Sequence, residues 1–239
     1  ANTPVTNSFT NLDGSIQSNV SPNTISRFSI VSWTGTGANA TVGHGLGVTP
    51  KMMIIKVRDG VTAWVVYHKS VGPTKGLFLN TNGTGSTVSA YFQDTNPTSS
   101  VFSVGSDADT NGSSKSMIAY CFADVQGYSK FGSYEGNANA DGPFVYTGFK
   151  PAFVMIKNVD DSSEWMIFDN KRQGFNSDNE ALAANLTAAE RTTNYIDMLS
   201  NGIKIINSDG EVNTAHTYIY MAFAENPFTS SSGTPVTAR

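Results

Sequence analysis

Cysteine is nearly absent. The single thiol, Cys121, in a chain of 239 residues excludes an intrachain disulfide and any metal site built on several thiolates, and its apolar flanks mark it as a buried, inert side chain. Charge is scarce as well: charged residues make up 14% and the net charge is −4. With no cluster of lysine and arginine, the chain carries no electrostatic footprint for nucleic acid or an anionic membrane surface. No apolar stretch approaches the ~18 residues that span a bilayer, so no membrane insertion is expected. Residues 1–20 lack the charged-then-apolar order of a secretory signal. The three histidines, His44, His68 and His216, are scattered with no chelating spacing. There is no phosphate-binding loop, dinucleotide fingerprint or Gly-x-Ser-x-Gly elbow. Gly43–Gly47 is glycine-rich, but no helix follows it, and it reads as a turn.

What is abundant is glycine, serine, threonine and asparagine, with aromatics at 11%. That mixture suits short strands joined by polar turns and is poor in the residues that surface helices favour. The strongest pattern is internal. Trp33-Thr34-Gly35 returns as Tyr134-Glu135-Gly136, Gly47 and Pro50 as Gly148 and Pro151, Ile55-Lys56 as Ile156-Lys157, and Trp64 as Trp165, each 101 positions on. The offset holds to the far end, where Met117–Asp124 faces Tyr218–Glu225. Only the middle slips, with Asn80 matching Asn185. Repeats of this kind constrain architecture before any local assignment does.

Strand patterns alternate with turns. Phe28–Trp33 alternates, and Met52–Val57 is a continuous apolar run broken by Lys56, as for a strand covered on both sides. Arg58-Asp59-Gly60 turns the chain back into Val61–Tyr67. Period two puts Trp64, Val66 and His68 on one face and Trp165, Ile167 and Asp169 on the matching one. The same argument groups Ile118 with Phe122 and Ile219 with Phe223, and these recurring apolar positions read as core. Glu180–Arg191 has the composition of a helix, whereas its counterpart, Gly76–Asn80 and the polar stretch to Tyr91, reads as strand, turn, strand. The repeat outweighs propensity here, leaving at most a helical turn near Thr187–Glu190. About seven strands per repeat predict an all-β, antiparallel, jelly-roll or lectin-like β-sandwich. The expected organisation is a linker over 1–27, one repeat over 28–127, a second over 128–228 packed closely on the first, and a polar tail over 229–239.

Candidate chemistry is sparse. Asp107, Asp109 and Asn111, followed by Gly112, match the first half of a calcium loop. Its twelfth position is Ile118 where a bidentate Glu is needed, so an Asx-rich turn is the better reading and calcium the only cofactor considered. Paired carboxylates for glycoside hydrolysis need two acids on neighbouring strands, and Glu164 and Asp169 are the only strand acids to consider. Their counterparts are Ala63 and His68, which favours surface positions. Five Asn-x-Ser/Thr triplets, at Asn19, Asn39, Asn82, Asn111 and Asn185, are expected by chance in this composition. Aromatics beside turns are the remaining candidates for ligand binding: Trp33 and Tyr134 at matching positions, with Tyr91, Phe92 and Tyr128 flanking loops. Such rings stack on sugars or on partner proteins, although matched aromatics also serve packing.

Several of these segments carry a resemblance: Val42–Lys51, Trp64–His68, Ala119–Ala123, Gly127–Tyr134, Asp141–Phe149 and Tyr218–Ala224. Together they resemble the repeated β-rich module common in virion proteins of marine bacteriophages. The resemblance covers about residues 28 to 228 and implies a tail-fibre or capsid-surface protein. It implies no enzymatic residues, partners among other virion subunits, self-association into a homo-oligomer, adhesion to a host cell-surface glycan, and a place on the virion surface. The alternative is a secreted bacterial carbohydrate-binding domain of lectin type.

Overall fold

A computed structural model describes residues 8–172 and 180–226; the expected tail at 229–239 lies outside them. The chain divides into two compact units. The first comprises residues up to Leu79 together with Gly85–Ala123, and the second comprises Asn80–Thr84 and the chain from Asp124 on.

The first unit contains β1 (Phe9–Asn11), β2 (Ser18–Asn23), β3 (Phe28–Thr34), β4 (Ala40–Gly43), β5 (Met52–Val57), β6 (Val65–His68), β7 (Lys75–Phe78), β8 (Ser86–Thr87), β9 (Val101–Val104) and β10 (Ser116–Phe122), with single helical turns α1 (Ser89–Phe92) and α2 (Ala108–Asn111). The second contains β11 (Ser129–Glu135), β12 (Phe144–Tyr146), β13 (Pro151–Asn158), β14 (Met166–Asp169), β15 (Ala181–Ala183), β16 (Ile196–Leu199), β17 (Gly202–Ile205) and β18 (Thr217–Ala224). Every strand pair within these sheets is antiparallel. In the first unit a large sheet ordered β1-β2-β3-β10-β5-β6-β7-β8 faces the ribbon β4-β9; in the second, β11-β18-β13-β14-β15 accompanies β12-β17-β16.

Each unit buries its core between a large and a small sheet, the two-layer solution for faces that cannot remain in water. In the first unit Val31, Trp33, Ile55, Val57, Met117, Ala119 and Cys121 meet Val42, Phe102 and Val104 of the ribbon, with the Trp33 and Phe102 rings edge to face at 5.6 Å. In the second, Tyr134, Val154, Ile156, Tyr218 and Tyr220 meet Val145, Ile196, Met198, Ile203 and Ile205. The inward face of β10 is therefore Met117, Ala119 and Cys121, and that of β18 is Tyr218, Tyr220 and Ala222. Ile118, Phe122, Ile219 and Phe223, expected as core, lie on the reverse faces.

Several pairings of the larger sheets recur at one offset. Met117↔Val57 in the first unit corresponds to Tyr218↔Asn158 in the second, Ser116↔Thr34 to Thr217↔Glu135, and Ile55↔Val65 to Ile156↔Met166, each partner 101 positions on. Turn contacts follow: Ser116 N–H donates to Asp59 Oδ2 at 3.1 Å, and Thr217 N–H donates to Asp160 Oδ2 at 2.7 Å.

Two expectations change. Residues 1–27 are no simple linker, because β2 pairs with β3 from Ser18↔Trp33 to Asn23↔Phe28 and buries Val20 fully. The stretch ending at Tyr91 closes with α1 rather than a strand. The Tyr91 ring lies over Gly76, where an added Cβ would come within 2.7 Å of it. Residues 181–183, helical in composition, form β15 on β14, with Ala184 N–H donating to the Trp165 carbonyl at 2.8 Å. As the repeat implied against composition, no helix forms over 180–191 and no helical turn appears at 187–190; for 181–183, pairing on β14 has overridden propensity.

Candidate ligand-binding site

The aromatics expected as exposed platforms are mostly structural. Trp33 and Tyr134 are buried, as are Tyr91 and Phe92. Tyr134 donates its hydroxyl to the Val212 carbonyl at 2.7 Å and stacks on Tyr218, and burial holds its phenol well above the ordinary range. Phe92 packs edge-on against Tyr67 and Tyr91 against Phe78. Tyr128 is half-buried against Phe223. The physical reason is visible at the glycines that follow Trp33 and Tyr134. A Cβ at Gly35 would sit 2.2 Å from the Gly112 carbonyl oxygen, and one at Gly136 1.9 Å from that of Thr214. These turns close tightly on the backbone, and the preceding ring is drawn under them.

The calcium candidate is also a structural device. Asp107 caps α2 by accepting Asp109 N–H at 2.8 Å. Burial and the nearby Asp107 charge raise the Asp109 pKa. Asn111 is fully buried, its Oδ1 accepting from Thr36 N–H at 3.1 Å and Trp33 Nε1 at 3.4 Å, while Nδ2 donates to Thr36 Oγ1, Ala38 O and Gly105 O. Both amide ends are thus spent on protein partners. Asn213 repeats the arrangement in the second unit, accepting from Asn137 N–H and donating to Asn137 Oδ1, Asn139 O and Asn207 O. Among the described residues no group of three or more His, Cys, Asp or Glu is placed to hold a metal. Of the two acids expected on strands, Glu164 lies ahead of β14 and takes the Asn185 amide, and Asp169 at the end of β14 pairs with Arg172 Nε at 2.5 Å.

Among the described residues, two concave features bear on ligand binding. In the first unit a pocket of about 450 Å³ opens beside β2, β3 and the start of β10, lined by Gln17, Asn19, Ser32, Thr34, Arg58 and Ser116, and bordered by Ile16, Trp33 and Met117, whose side chains belong to the core. Of the residues expected to bind ligand, Trp33 borders this pocket. Alternation along β3 turns Ser32 and Thr34 away from the core that takes Val31 and Trp33, so hydroxyls, amides and a guanidinium converge on one site. In the second unit a pocket of about 320 Å³ lies between β11 and the end of β12, lined by 124–127, Ser129, Lys130 and 146–148. Beside it Phe144 and Tyr146 project from one face of β12, 46% and 62% exposed. The sequence reading passed over both rings, although their i, i+2 spacing on a strand was the available signal.

Fold and pockets define an all-β, two-unit protein with polar surface pockets. The chain belongs to the family described as a domain of unknown function, DUF7483, whose model matches residues 4–227. No curated protein and no solved structure matches it.

Proposed function

We propose that this chain is a non-enzymatic surface module of a bacteriophage virion, on a tail fibre or the capsid, that contributes structure and binds host-cell glycan. In this reading it is a tandem duplication of a sandwich of about a hundred residues. The strand registers that recur 101 positions on, and the asparagine hubs Asn111 and Asn213, 102 positions apart, support that origin. The observation that carries the binding reading is the larger pocket: Gln17, Asn19, Ser32, Thr34 and Ser116 offer neutral hydrogen-bonding groups, with Arg58 at the rim. Hydroxyls and amides of this kind match a polyol, and a guanidinium adds bidentate recognition of a carboxylate or sulfate. The ligand class is therefore an acidic surface polysaccharide.

The test is a glycan-array and host-cell binding screen of the purified protein, run with and without calcium, alongside Arg58→Ala. Saturable binding to acidic glycans that drops at least tenfold in the variant, with or without calcium, is the expected result. Binding that ignores Arg58→Ala, or no binding to any glycan or host cell, overturns the assignment.

A further inference from the structure

The two units differ most where the chain enters them. In the first, β3 carries β2 on its outer edge, and β2 carries β1. The same arm closes the side of the sandwich. Ile16 N–H donates to the Thr41 carbonyl at 3.0 Å and Ser18 Oγ to the Gly43 carbonyl at 2.8 Å, so residues 15–23 stitch the edge of β4 to the edge of β3. Ile16 and Val20 belong to the core cluster. A Cβ added to Gly45 would meet Val20 Cγ2 at 3.2 Å and Pro22 Cγ at 3.3 Å, so the arm lies directly against that glycine.

Among the described residues the second unit has the corresponding edge without such an arm. β11 stands where β3 stands, 101 positions on, but among the described residues no strand pairs with its outer edge. Gly148 takes the place of Gly45. His44 N–H donates to Ser100 O and Thr147 N–H to Asn201 O, while Leu46 N–H and Phe149 N–H turn back on the side chains of His44 and Thr147. Where Val20 and Pro22 lie against Gly45, the Tyr146 ring lies against Gly148, an added Cβ there meeting its hydroxyl at 3.5 Å, and both residues line the 320 Å³ pocket. The start of β11 is capped, Ser129 N–H by the Val125 carbonyl and Phe131 N–H by Asp124 Oδ1. Alternation then turns the main-chain groups of Ser133 and Glu135 outward as well, and both residues are exposed.

We infer that the outer edge of β11 and the pocket over Gly148 form an acceptor for an extended polypeptide arm donated in trans, adding antiparallel to β11 as β2 adds to β3. The first unit displays the occupant's chemistry: an arm of the residue 15–23 type, with an aliphatic residue and a proline placed as Val20 and Pro22 are. Strand addition draws its affinity from ladder hydrogen bonds and its specificity from alternate side chains in pockets. An open edge is otherwise an aggregation liability. The inference stands whether or not the other pocket binds glycan, since neither β11 nor Gly148 contributes to it.

The probe is a labelled synthetic peptide of residues 8–24, titrated into the full chain, with hydrogen exchange read at individual amides. Saturable binding that slows exchange at Ser133 and Glu135 is expected. In the register of β2 on β3, Asn19 and Ser21 face the positions equivalent to Ser133 and Phe131, so a peptide N-methylated at those two residues should bind at least tenfold more weakly. Ser133→Pro, which removes an outward N–H and clashes with a ladder partner, should do the same. Exchange at Ser133 and Glu135 in the unaltered protein keeps the test independent of how that variant folds. No saturable binding at millimolar peptide, binding indifferent to N-methylation, or protection confined to β3 through exchange with the resident arm would each overturn the proposal.

Discussion

At the scale of single residues, the two units solve the same local problems with different side chains, and one difference is titratable. His44 is fully buried, with Nδ1 accepting Leu46 N–H at 3.2 Å and Nε2 facing the Thr98 carbonyl at 3.3 Å. That pattern requires the neutral ring, and burial lowers its pKa from 6.5, outweighing the Thr98 bond and Asp13, which act the other way. A group with its folded pKa depressed contributes stability that is present above the unfolded value and lost as pH falls through the folded one. In the second unit Thr147 makes the equivalent bond to Phe149 N–H with a hydroxyl. Replacing His44→Thr should therefore flatten the loss of stability below pH 6.5, removing at most about 1.4 kcal/mol per pH unit. Chemical denaturation at a series of pH values from 7 down to 5 measures it, and an unchanged slope would sink the assignment. The asparagine hubs belong to this scale too. Asn111 attracted notice in the sequence as a calcium ligand, because alternate oxygen-bearing residues before a glycine look alike whether they bind an ion or a turn. Only the geometry shows its amide facing inward to Thr36 and Ala38.

At the scale of elements, what could be read in the sequence was what burial writes into it. The apolar run of β5, the turn at Asp59-Gly60 and the paired ends of β10 and β18 all carry a hydrophobic signature. β2 does not: Ser-Asn-Val-Ser-Pro-Asn offers one buried aliphatic residue among polar ones, and its role is to cover an edge rather than to build a face. The repeat also misplaced a segment it identified. Over residues 40–46 the true offset is 103, since Val42 pairs with Phe102 while Val145 pairs with Ile203. The familiar glycine match of Gly47 to Gly148 therefore hides the structural match of Gly45 to Gly148, and with it the position that the arm covers in the first unit. The edge-covering role of β2 gives a clear expectation. Val20→Ala should cost about 2 kcal/mol, because it opens a cavity between the two layers. A linker residue would be insensitive, so a denaturant midpoint unchanged from the parent would return residues 18–23 to that class.

At the scale of the whole molecule, the sequence repeats and the structural units are not the same objects. Cutting the chain at its repeat boundary leaves Asn80–Thr84, five residues of the first repeat, on the wrong side, for they belong to the second unit. Their role there is specific. Lys157 is completely buried, and its ammonium donates to the Asn82 carbonyl at 3.1 Å and to the Asn158 carbonyl at 2.7 Å; Ser163 N–H donates to the same Asn82 oxygen at 3.0 Å. In the first unit the corresponding Lys56 finds its acceptors within its own turn, at Val57, Gly60 and Thr62. The second unit has Asp160, Asp161 and Ser162 in that turn, and its lysine reaches instead for a carbonyl from an earlier part of the chain. A buried ammonium deprived of an acceptor is costly, on the order of 2 kcal/mol. A fragment beginning at Asp124 should consequently melt below the second unit of the intact chain. Lys157→Met should recover much of that deficit in the fragment, since it removes the charge while keeping the volume. Calorimetry of the fragment, the fragment variant and the full chain decides the point. If the fragment melts with the intact chain, or if Lys157→Met lowers its midpoint further, then 80–84 is an incidental loop and the sequence repeat is a sufficient folding unit.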